Sequence, residues 1–437
     1  MTAGESISIE TRFQELHPAL SEQAAVVEAN RCLNCFEAPC MSACPTHIDI
    51  PGFIKKIARD NLKGSALRIL DANVLGLSCS RVCPVDVLCE GSCVMHGRGE
   101  RAIAIGLLQR HAMEHFYHSG AQVPWKPAVE RPQRVACIGA GPASLACGAA
   151  LRRQGFAVTI FEKRSLAGGL NSHGVAEYKL QVSDSLREVE FIQSLGVGIE
   201  TGKSVGDDIS LQQLEHEFDA IFLGIGLGES HMLNLSGEDG PNIIDAMRYI
   251  EAYKMRAPLP TGARVVVIGG GNTAIDAACA AKLLGAEEVT IAYRRGEEEM
   301  PAFAFEIKHA REQGVDFLFQ AAPVALKSGA VEFQRMRLTS PDDSGRRKSE
   351  PEPGTEFTVP CDTVIPAIGQ AKLTGLLQQV ANIKLNNGSV VIDSSTGRTS
   401  NPKYFAGGDC LSGGREVVDA VADGKRAALG ILEAFGG

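Results

Sequence analysis

The chain has 437 residues, of which 44% are hydrophobic, and it carries a formal net charge of −9 with a pI near 5.7. This length allows roughly two to four domains, each with its own core. The acidic balance argues against a nucleic-acid-binding protein, because phosphate contacts need a basic face. No apolar run reaches the roughly 20 residues of a membrane span, and polar and acidic residues occupy Met1 to Ala25, where a secretory leader would be apolar. A cytoplasmic protein that binds neither nucleic acid nor membrane is therefore expected.

Eight of the thirteen cysteines lie in one stretch, as two blocks of four. The blocks are Cys32, Cys35, Cys40 and Cys44, then Cys79, Cys83, Cys89 and Cys93. Cys44 and Cys83 are each followed by proline, as in ferredoxin runs. Iron–sulfur clusters take thiolate ligands, and a Cys-x2-Cys-x4-Cys run supplies three of them to one cube. The spacing therefore predicts two [4Fe–4S] clusters, with all eight cysteines as candidate ligands.

Zinc is the main alternative for these cysteines, because a Cys-x2-Cys pair is also half of a common structural zinc site. Zinc sites join two such pairs, whereas each block here has four cysteines and a Cys-Pro step. A disulfide framework is disfavoured by the length of the chain and the lack of a secretory leader. Apolar residues at helical spacing over 13–30, 54–75 and 101–117 predict a helical cage around the cysteines. Prolines between Pro124 and Pro132 then predict a stiff connector.

A first dinucleotide-binding fold is predicted from the strand at 134–138, which leads directly into Gly139-Ala140-Gly141-Pro142-Ala143-Ser144 and a helix. Such glycines let backbone N–H groups approach a pyrophosphate at a helix start. The next strand ends in an acid that suits a ribose hydroxyl, and a second Gly-Gly turn follows. The alternative is an ordinary strand-to-helix turn. The candidate contacts here are Gly139, Gly141, Pro142, Ala143, Glu162, Gly169 and Leu170.

The same pattern recurs at the strand 264–268, which leads into Gly269-Gly270-Gly271 and a helix. The second strand of this repeat ends in two arginines, which can hold a 2′-phosphate, so the pattern favours NADPH over NADH. A solvated arginine pair near Glu297 to Glu299 is the alternative. The candidate contacts are Gly270, Gly271, Asn272, Thr273, Arg294 and Arg295.

The carboxyl-terminal part predicts a return to the first fold. The run from Val364 to Gly369 predicts a strand and turn that make this return, with Ala367 and Gly369 as candidate cofactor contacts. Gly408 and Asp409 follow a further strand and predict a turn facing a flavin. We therefore expect an α/β protein in which a helical iron–sulfur domain (1–125) precedes two Rossmann-like domains. The FAD-binding domain spans 126–235 and 366–437, and an NAD(P)H-binding domain (236–365) is inserted in it.

This order of motifs resembles the glutamate synthase small-subunit family and the amino-terminal half of dihydropyrimidine dehydrogenase, over nearly the whole chain. The segment from Leu75 to Cys93 is most similar to dihydropyrimidine dehydrogenase and its separate bacterial electron-input subunit. Gln109 adds to this, because dihydropyrimidine dehydrogenases have a glutamine ligand at the matching place, whereas glutamate synthase relatives tend to carry an acid. The resemblance implies one cluster on Cys32, Cys35, Cys40 and Cys93, and another on Cys44, Cys83, Cys89 and Gln109.

Further implications follow from the resemblance. Cys79 is left without a cluster, Lys179 stands where the family often has a flavin-contacting arginine, and Pro301 replaces a further arginine of the NADPH-using enzymes. The implied protein is an electron-input subunit that passes electrons from NAD(P)H through FAD and two [4Fe–4S] clusters, with no catalytic side chain of its own. Its partner, in a hetero-oligomer, is an FMN-barrel subunit with its own iron–sulfur clusters that reduces uracil or thymine. The alternatives are a glutamate synthase small subunit, an NADPH:ferredoxin-type oxidoreductase, and a non-catalytic zinc-stapled dinucleotide sensor.

Overall fold

The computed structural model describes residues 13, 15–125, 128–259, 262–341 and 347–436. The helices are α1 (Glu22–Asn30), α2 (Pro39–Ser42), α3 (Ile50–Ile57), α4 (Leu62–Ala72), α5 (Gly76–Val82), α6 (Ile105–His118), α7 (Pro142–Arg152), α8 (Leu170–His173), α9 (Val182–Ser194), α10 (Leu211–Glu217), α11 (Ala246–Lys254), α12 (Asn272–Leu284), α13 (Ala304–Glu312), α14 (Thr374–Leu377), α15 (Asp409–Ser412) and α16 (Val417–Ala434). Short 3₁₀ turns occur at Val85–Val87, Val94–Arg98 and Glu297–Glu299.

The strands are β1 (Arg134–Ile138), β2 (Ala157–Glu162), β3 (Gly198–Thr201), β4 (Ala220–Leu223), β5 (Arg264–Ile268), β6 (Glu288–Tyr293), β7 (Asp316–Phe319), β8 (Ala321–Lys327), β9 (Ala330–Leu338), β10 (Ser349–Pro351), β11 (Phe357–Pro360), β12 (Thr363–Pro366), β13 (Leu385–Asn386), β14 (Ser389–Val390) and β15 (Tyr404–Ala406). The chain forms two compact units. One contains residues 229–371 with the segment His173–Tyr178 and the described residues up to Glu15, and the other contains the rest.

The amino-terminal part is helical, as the apolar spacing predicts. In α3 the buried residues Ile50, Phe53, Ile54 and Ile57 recur at helical spacing and form one core face. The first helix is shorter than predicted, since it begins at Glu22, where the Ser21 hydroxyl accepts a hydrogen bond from Ala24 N (3.2 Å).

The connector after the helical part is packed against both of its neighbours. Trp125 Nε1 donates to Asp71 Oδ1 (2.9 Å) on the helical side, and the guanidinium of Arg153, the residue that follows α7, lies 3.7 Å from the Trp125 ring centroid. Lys126 and Pro127 lie outside the described residues. These contacts explain why the helical part and the first nucleotide-binding fold form one compact unit.

The first sheet contains only parallel neighbours and has the order β15-β4-β1-β2-β3. Buried residues such as Val135, Cys137 and Phe222 form its core with α7 and α16. Because β4 and β15 are adjacent in space while the second fold lies between them in sequence, the second Rossmann-like fold is inserted in the first, as predicted.

The second sheet corrects one sequence prediction. Its order is β12-β5-β6-β7, all parallel, and Val364 on β12 pairs with Val266 on β5. The run from Val364 to Gly369 therefore belongs to the second fold and does not return the chain to the first, which begins again only at Lys372. A short apolar run suits the buried interior of either parallel sheet, so its composition could not decide between them.

The same unit carries an antiparallel sheet, in which β9 pairs with β8, β10 and β11. The segment 339–356 contributes β10, and residues 342–346 lie outside the described part. None of the described helices is both long and apolar enough to cross a lipid bilayer.

Candidate functional site

Two small cavities in the helical part are lined by the cysteines of the two blocks. Cys32, Cys35, Cys40 and Cys93 line one of them. Cys44, Cys79, Cys83, Cys89 and Gln109 line the other. Cys93 therefore lies with the cysteines of the first block and Cys44 with those of the second, as the resemblance implies, while Cys79, which the resemblance leaves without a cluster, also lines the second cavity.

Local backbone geometry brings the cysteines to these cavities. Asn34 and Glu37 adopt positive φ angles of 51° and 50°, which bend the chain between Cys32 and Cys40. Cys79 and Cys83 are one helical turn apart, because Cys83 is the residue that ends α5 and its N–H donates to Cys79 O (3.1 Å). Cys93 begins the 3₁₀ turn that follows the second block.

The donor set fits iron–sulfur clusters better than single zinc ions. All these cysteines are free thiols in the structure. Burial raises the pKa of the Cys40 thiol to about 11, and burial also raises the pKa of Cys89 well above its usual value. Such thiols become ligands only when bound metal displaces their protons. Cysteine thiols predominate among the potential ligands around both cavities, and thiolates are the ligands that iron–sulfur clusters take.

Cys79 and Gln109 are the two candidates for the fourth ligand in the second cavity, beside Cys44, Cys83 and Cys89. Cys79 is buried on α5, and its contact with Cys83, together with burial, raises the pKa of Cys83. Gln109 lies on α6 and is also buried, and its Nε2 donates to Gly76 O (2.8 Å). This bond uses the amide nitrogen, so the amide oxygen is the atom of Gln109 that remains for a metal.

Sequence reasoning missed Glu188, which holds the start of the helix that carries Cys79 and Cys83. Glu188 lies on α9 and is fully buried, and its Oε1 accepts from Leu77 N (2.7 Å) while Oε2 bonds to the Ser78 hydroxyl. Burial raises the pKa of Glu188 to about 8, against the hydrogen bonds from Ser78 and Leu77. Because Glu188 is 111 residues from Leu77, no local pattern in the sequence could have indicated it.

The glycines of the first fold bring two loops into contact. Gly139 has a φ of 86°, and a Cβ there would lie 2.7 Å from Gly224 O. A Cβ on Gly169 would lie 2.7 Å from the Cα of Gly141, so the predicted pyrophosphate loop and the second Gly-Gly turn touch. Pro142 begins α7, as predicted, and Leu170, predicted only to follow a glycine turn, begins the short α8. Ala143 is buried in the first turn of α7.

Glu162 ends β2 beside these loops. Its two carboxylate oxygens accept from the backbone N–H groups of Ala140 (2.8 Å) and Arg164 (2.9 Å). Each oxygen keeps a second lone pair for a ribose hydroxyl. The carboxylate predicted to bind a ribose therefore also holds the first glycine loop in place through Ala140.

The Gly408-Asp409 turn lies beside the first glycine loop. A Cβ on Gly408 would lie 3.2 Å from the Cβ of Ala143, and Gly408 N donates to Asp423 Oδ2 (2.9 Å). Burial raises the pKa of Asp409, and the carboxylates of Asp423 and Asp419 raise it further, while Arg415 N–H donates to Asp409 Oδ1 (3.1 Å). Burial also raises the pKa of Glu416, and the charge of nearby Lys179 opposes that rise.

The second fold holds a cleft of about 660 Å³ at the carboxyl ends of its parallel strands. The predicted residues that line it are Gly270, Gly271, Thr273, Arg294, Arg295, Ala367 and Gly369. Asn272 is not among the lining residues, and its Oδ1 accepts from Phe303 N (3.0 Å). Pro301 also lines the cleft, at the place where the resemblance expects an arginine.

Among the described residues, neither arginine of this cleft forms a salt bridge with the acids at 297–299. Glu297 forms a salt bridge with Arg311 (2.7 Å), and Glu299 Oε2 accepts from Gly296 N. Arg294 is exposed, and among the described residues Arg295 Nε has no hydrogen-bond partner. Both charges therefore remain available to a ligand in the cleft.

Comparison with known proteins places the chain in a family. The model of the pyridine nucleotide-disulphide oxidoreductases matches residues 133–424, and that of the 4Fe-4S-cluster domain II of dihydropyrimidine dehydrogenase matches residues 9–121. The chain belongs to the pyridine nucleotide-disulphide oxidoreductase family. As a member of this family with an iron–sulfur domain, it is an NAD(P)H-dependent oxidoreductase, and the suspected resemblance is confirmed.

Two curated relatives of this oxidoreductase are matched over nearly their whole length. The small chain of glutamate synthase [NADPH] from Escherichia coli is 35% identical, over 96% of this chain and 93% of the relative. The subunit PreT of NAD-dependent dihydropyrimidine dehydrogenase from Escherichia coli is 34% identical, over 96% of both chains. Among solved structures, Mycobacterium tuberculosis FprA in complex with NADPH has a TM-score of 0.59 at 20% identity, over 70% of this chain and 85% of that chain, which confirms the fold.

Proposed function

We propose that the chain is the electron-input subunit of a dihydropyrimidine dehydrogenase. It oxidises NAD(P)H and passes the electrons through FAD and two [4Fe–4S] clusters to a partner FMN subunit, which reduces uracil or thymine to the dihydropyrimidine. The observation that carries this proposal is the presence of Gln109 in one cavity with Cys44, Cys83 and Cys89. The resemblance expects a glutamine at this place in dihydropyrimidine dehydrogenases and an acid in glutamate synthase relatives.

The proposal assigns the flavin to the first fold. Bound FAD accepts two electrons as a hydride and releases them singly, which is the conversion that joins a nicotinamide to iron–sulfur clusters. The loops at Gly141 and Gly169 offer backbone N–H groups to its pyrophosphate, and Glu162 offers lone pairs to its ribose. Gly408 immediately precedes the short α15, and Asp409 begins it and would bind the ribityl hydroxyls, while Lys179 takes the place of the family's arginine.

The proposal assigns the clusters to the two cysteine-lined cavities. Cys32, Cys35, Cys40 and Cys93 hold one cluster, and Cys44, Cys83, Cys89 and Gln109 hold the other. Cys79 then packs as a small buried residue on α5. Each ligand set lines a small cavity, which suits a compact cube.

The cleft of the second fold binds the nicotinamide nucleotide in this proposal, with NADPH favoured. Gly270 and Gly271 precede the start of α12, where the dipole favours a pyrophosphate, and Arg294 and Arg295 are free to pair with a 2′-phosphate. The two relatives do not decide this point, because one is named for NADPH and the other for NAD.

A glutamate synthase small chain is the second candidate, since the relative of that name is as similar as PreT. Both candidates use the same electron-input machinery and differ in the partner.

The test combines the purified, cluster-loaded chain with an FMN-barrel dihydropyrimidine dehydrogenase subunit or with a glutamate synthase large chain. We expect oxidation of NADPH that depends on uracil with the first partner only. Dye reduction without any uracil-dependent oxidation would refute the pyrimidine assignment, and oxidation dependent on glutamine and 2-oxoglutarate would support the second candidate.

A further inference from the structure

One peptide unit at the start of α5 joins two side chains that lie far apart in the sequence. The carbonyl oxygen of Gly76 accepts from Gln109 Nε2 (2.8 Å), and the N–H of the same peptide, which belongs to Leu77, donates to Glu188 Oε1 (2.7 Å). Glu188, the Gly76–Leu77 peptide and the Gln109 amide therefore form one continuous chain of hydrogen bonds.

The parts of this chain are held in place by packing. A Cβ on Gly76 would lie 2.5 Å from Ile69 Cγ2 and 3.3 Å from Met113 Sδ, so the peptide is tightly enclosed. Glu188 is fully buried, and both of its oxygens also accept from Ser78 N (3.2 Å each). The hydroxyl of Ser78 bonds to Glu188 Oε2, which fixes the rotation of the carboxyl group.

We propose that Glu188 is a positioning residue for Gln109, acting through the Gly76–Leu77 peptide to hold the amide nitrogen away from the cysteine-lined cavity and to strengthen the amide oxygen as a ligand. Hydrogen bonds in a chain polarise one another, and groups that bond to a ligand orient it and raise its basicity. An acceptor at Glu188 Oε1 polarises the peptide, which makes Gly76 O a stronger acceptor for the Gln109 N–H. The amide oxygen of Gln109 then gains electron density.

This inference rests on the proposed ligand role of Gln109 and adds a residue from α9, outside the helical part. It needs only an acceptor at Oε1, which a carboxylate, a carboxylic acid and the amide of a glutamine all supply. It therefore predicts that Glu188→Gln preserves the effect and that Glu188→Leu, of similar size but without an acceptor, removes it. Glu188→Asp keeps the carboxyl group but shortens the side chain by one methylene, and it replaces the leucine variant if that variant does not fold.

The test uses the full chain with its cofactors, reduced photochemically without oxygen, and records the EPR spectrum and midpoint potential of each cluster. We expect Glu188→Leu or Glu188→Asp to change the spectrum and potential of the glutamine-linked cluster, while Glu188→Gln leaves them close to wild type. The cluster held by Cys32, Cys35, Cys40 and Cys93 is the internal control. In a Gln109→Cys background, where the ligand is no longer an amide, the same Glu188 substitutions should have no further effect.

Asp184 provides the matched control. It lies one turn before Glu188 on α9 and forms a buried salt bridge with Arg81 on α5 (2.9 Å), so Asp184→Asn weakens the same helix contact without touching the Gly76–Leu77 peptide. If Asp184→Asn changes the cluster as Glu188→Leu does, or if the Glu188 effect persists in the Gln109→Cys background, the inference is wrong. If Gln109→Leu leaves both clusters unchanged, Gln109 is not a ligand, and the failure lies in the proposed ligand set instead.

Discussion

A Cβ on Gly424 would lie 2.1 Å from the backbone oxygen of Ala143. Gly424 is in α16 and Ala143 is in the first turn of α7, directly after the first glycine loop. The two helices therefore touch backbone to backbone. This contact brings Asp423, which accepts from Gly408 N, next to the loop proposed to bind the flavin pyrophosphate.

Gly424→Ala should force these helices apart. We expect the free energy of unfolding to fall by about 1–3 kcal/mol, the typical cost of overpacking, and the purified protein to retain less FAD. Gly375→Ala is the matched control, because nothing lies within 4 Å of a Cβ there. Measurement of flavin content and urea denaturation checks both variants, and normal FAD content in Gly424→Ala would contradict the assigned role of this contact.

The arginines of the second cleft should determine the choice of nucleotide. Replacing Arg294 and Arg295 by alanine removes the cations proposed to hold a 2′-phosphate. We expect kcat/KM for NADPH to fall roughly ten- to a hundred-fold, since a hydrogen bond to a charged group contributes about 1.5–3 kcal/mol, with little change for NADH. Steady-state dye reduction measures both constants. Arg311→Ala is the control, because Arg311 pairs with Glu297 and does not line the cleft. Equal losses for both nucleotides would remove the reason for favouring NADPH.

The two candidates for the last ligand of the second cavity can be separated by substitution. Cys79→Ser should leave both clusters intact, whereas Gln109→Leu should perturb one of them. Iron and acid-labile sulfide analysis, with EPR of the reduced protein, measures the outcome. Loss of a cluster in Cys79→Ser with a normal Gln109→Leu protein would restore the ligand set of eight cysteines that the spacing alone predicts.

The buried carboxyl of Glu188 should make stability depend on pH. Burial raises the pKa of Glu188 from 4.5 to about 8, and the charge of Asp184 on the same helix adds to the rise. Tyr117 on α6 also faces Glu188, and burial raises the pKa of the Tyr117 hydroxyl and keeps it neutral. The folded protein thus holds this proton more tightly than the unfolded chain. The protonated carboxyl therefore makes its full contribution to the free energy of unfolding below pH 4.5, and this contribution is lost as the pH rises to about 8. Relative to Glu188→Gln, the wild type should lose unfolding free energy from pH 5 to 8 and stay level above that. Parallel denaturation curves across this range would show that Glu188 ionises normally.

The sequence predicted the parts of this molecule whose chemistry is local. Both glycine loops follow a strand and begin a helix, as the motifs require, and the insertion of one fold in the other follows from the order of those motifs. The strand at Thr363–Pro366 was assigned to the wrong fold from the sequence, because a buried apolar strand fits either sheet and local information cannot decide between them. Glu188 shows the same limit, since its partners at Leu77 and Ser78 come from another domain of the sequence and only packing brings them together.

The Cys-Pro step after Cys44 is typical of ferredoxin runs in which that cysteine serves the other cluster, but no spacing in the sequence indicated that Cys93 groups with the first block. This grouping depends on how the chain folds between the blocks, where α3 and α4 are separated by a turn at Asp60 and Asn61. Resemblance to a family supplied the grouping, and in the structure the two groups of cysteines line separate cavities, with Cys79 in the second of them.

The most direct test of the electron-input account is a variant that keeps the flavin and lacks one cluster. Cys35→Ala removes a proposed ligand of one cavity and leaves both nucleotide folds untouched. We predict that NADPH still bleaches the flavin of this variant, while reduction of uracil through the FMN-barrel partner is lost. Uracil reduction at the wild-type rate without that cluster would contradict the account.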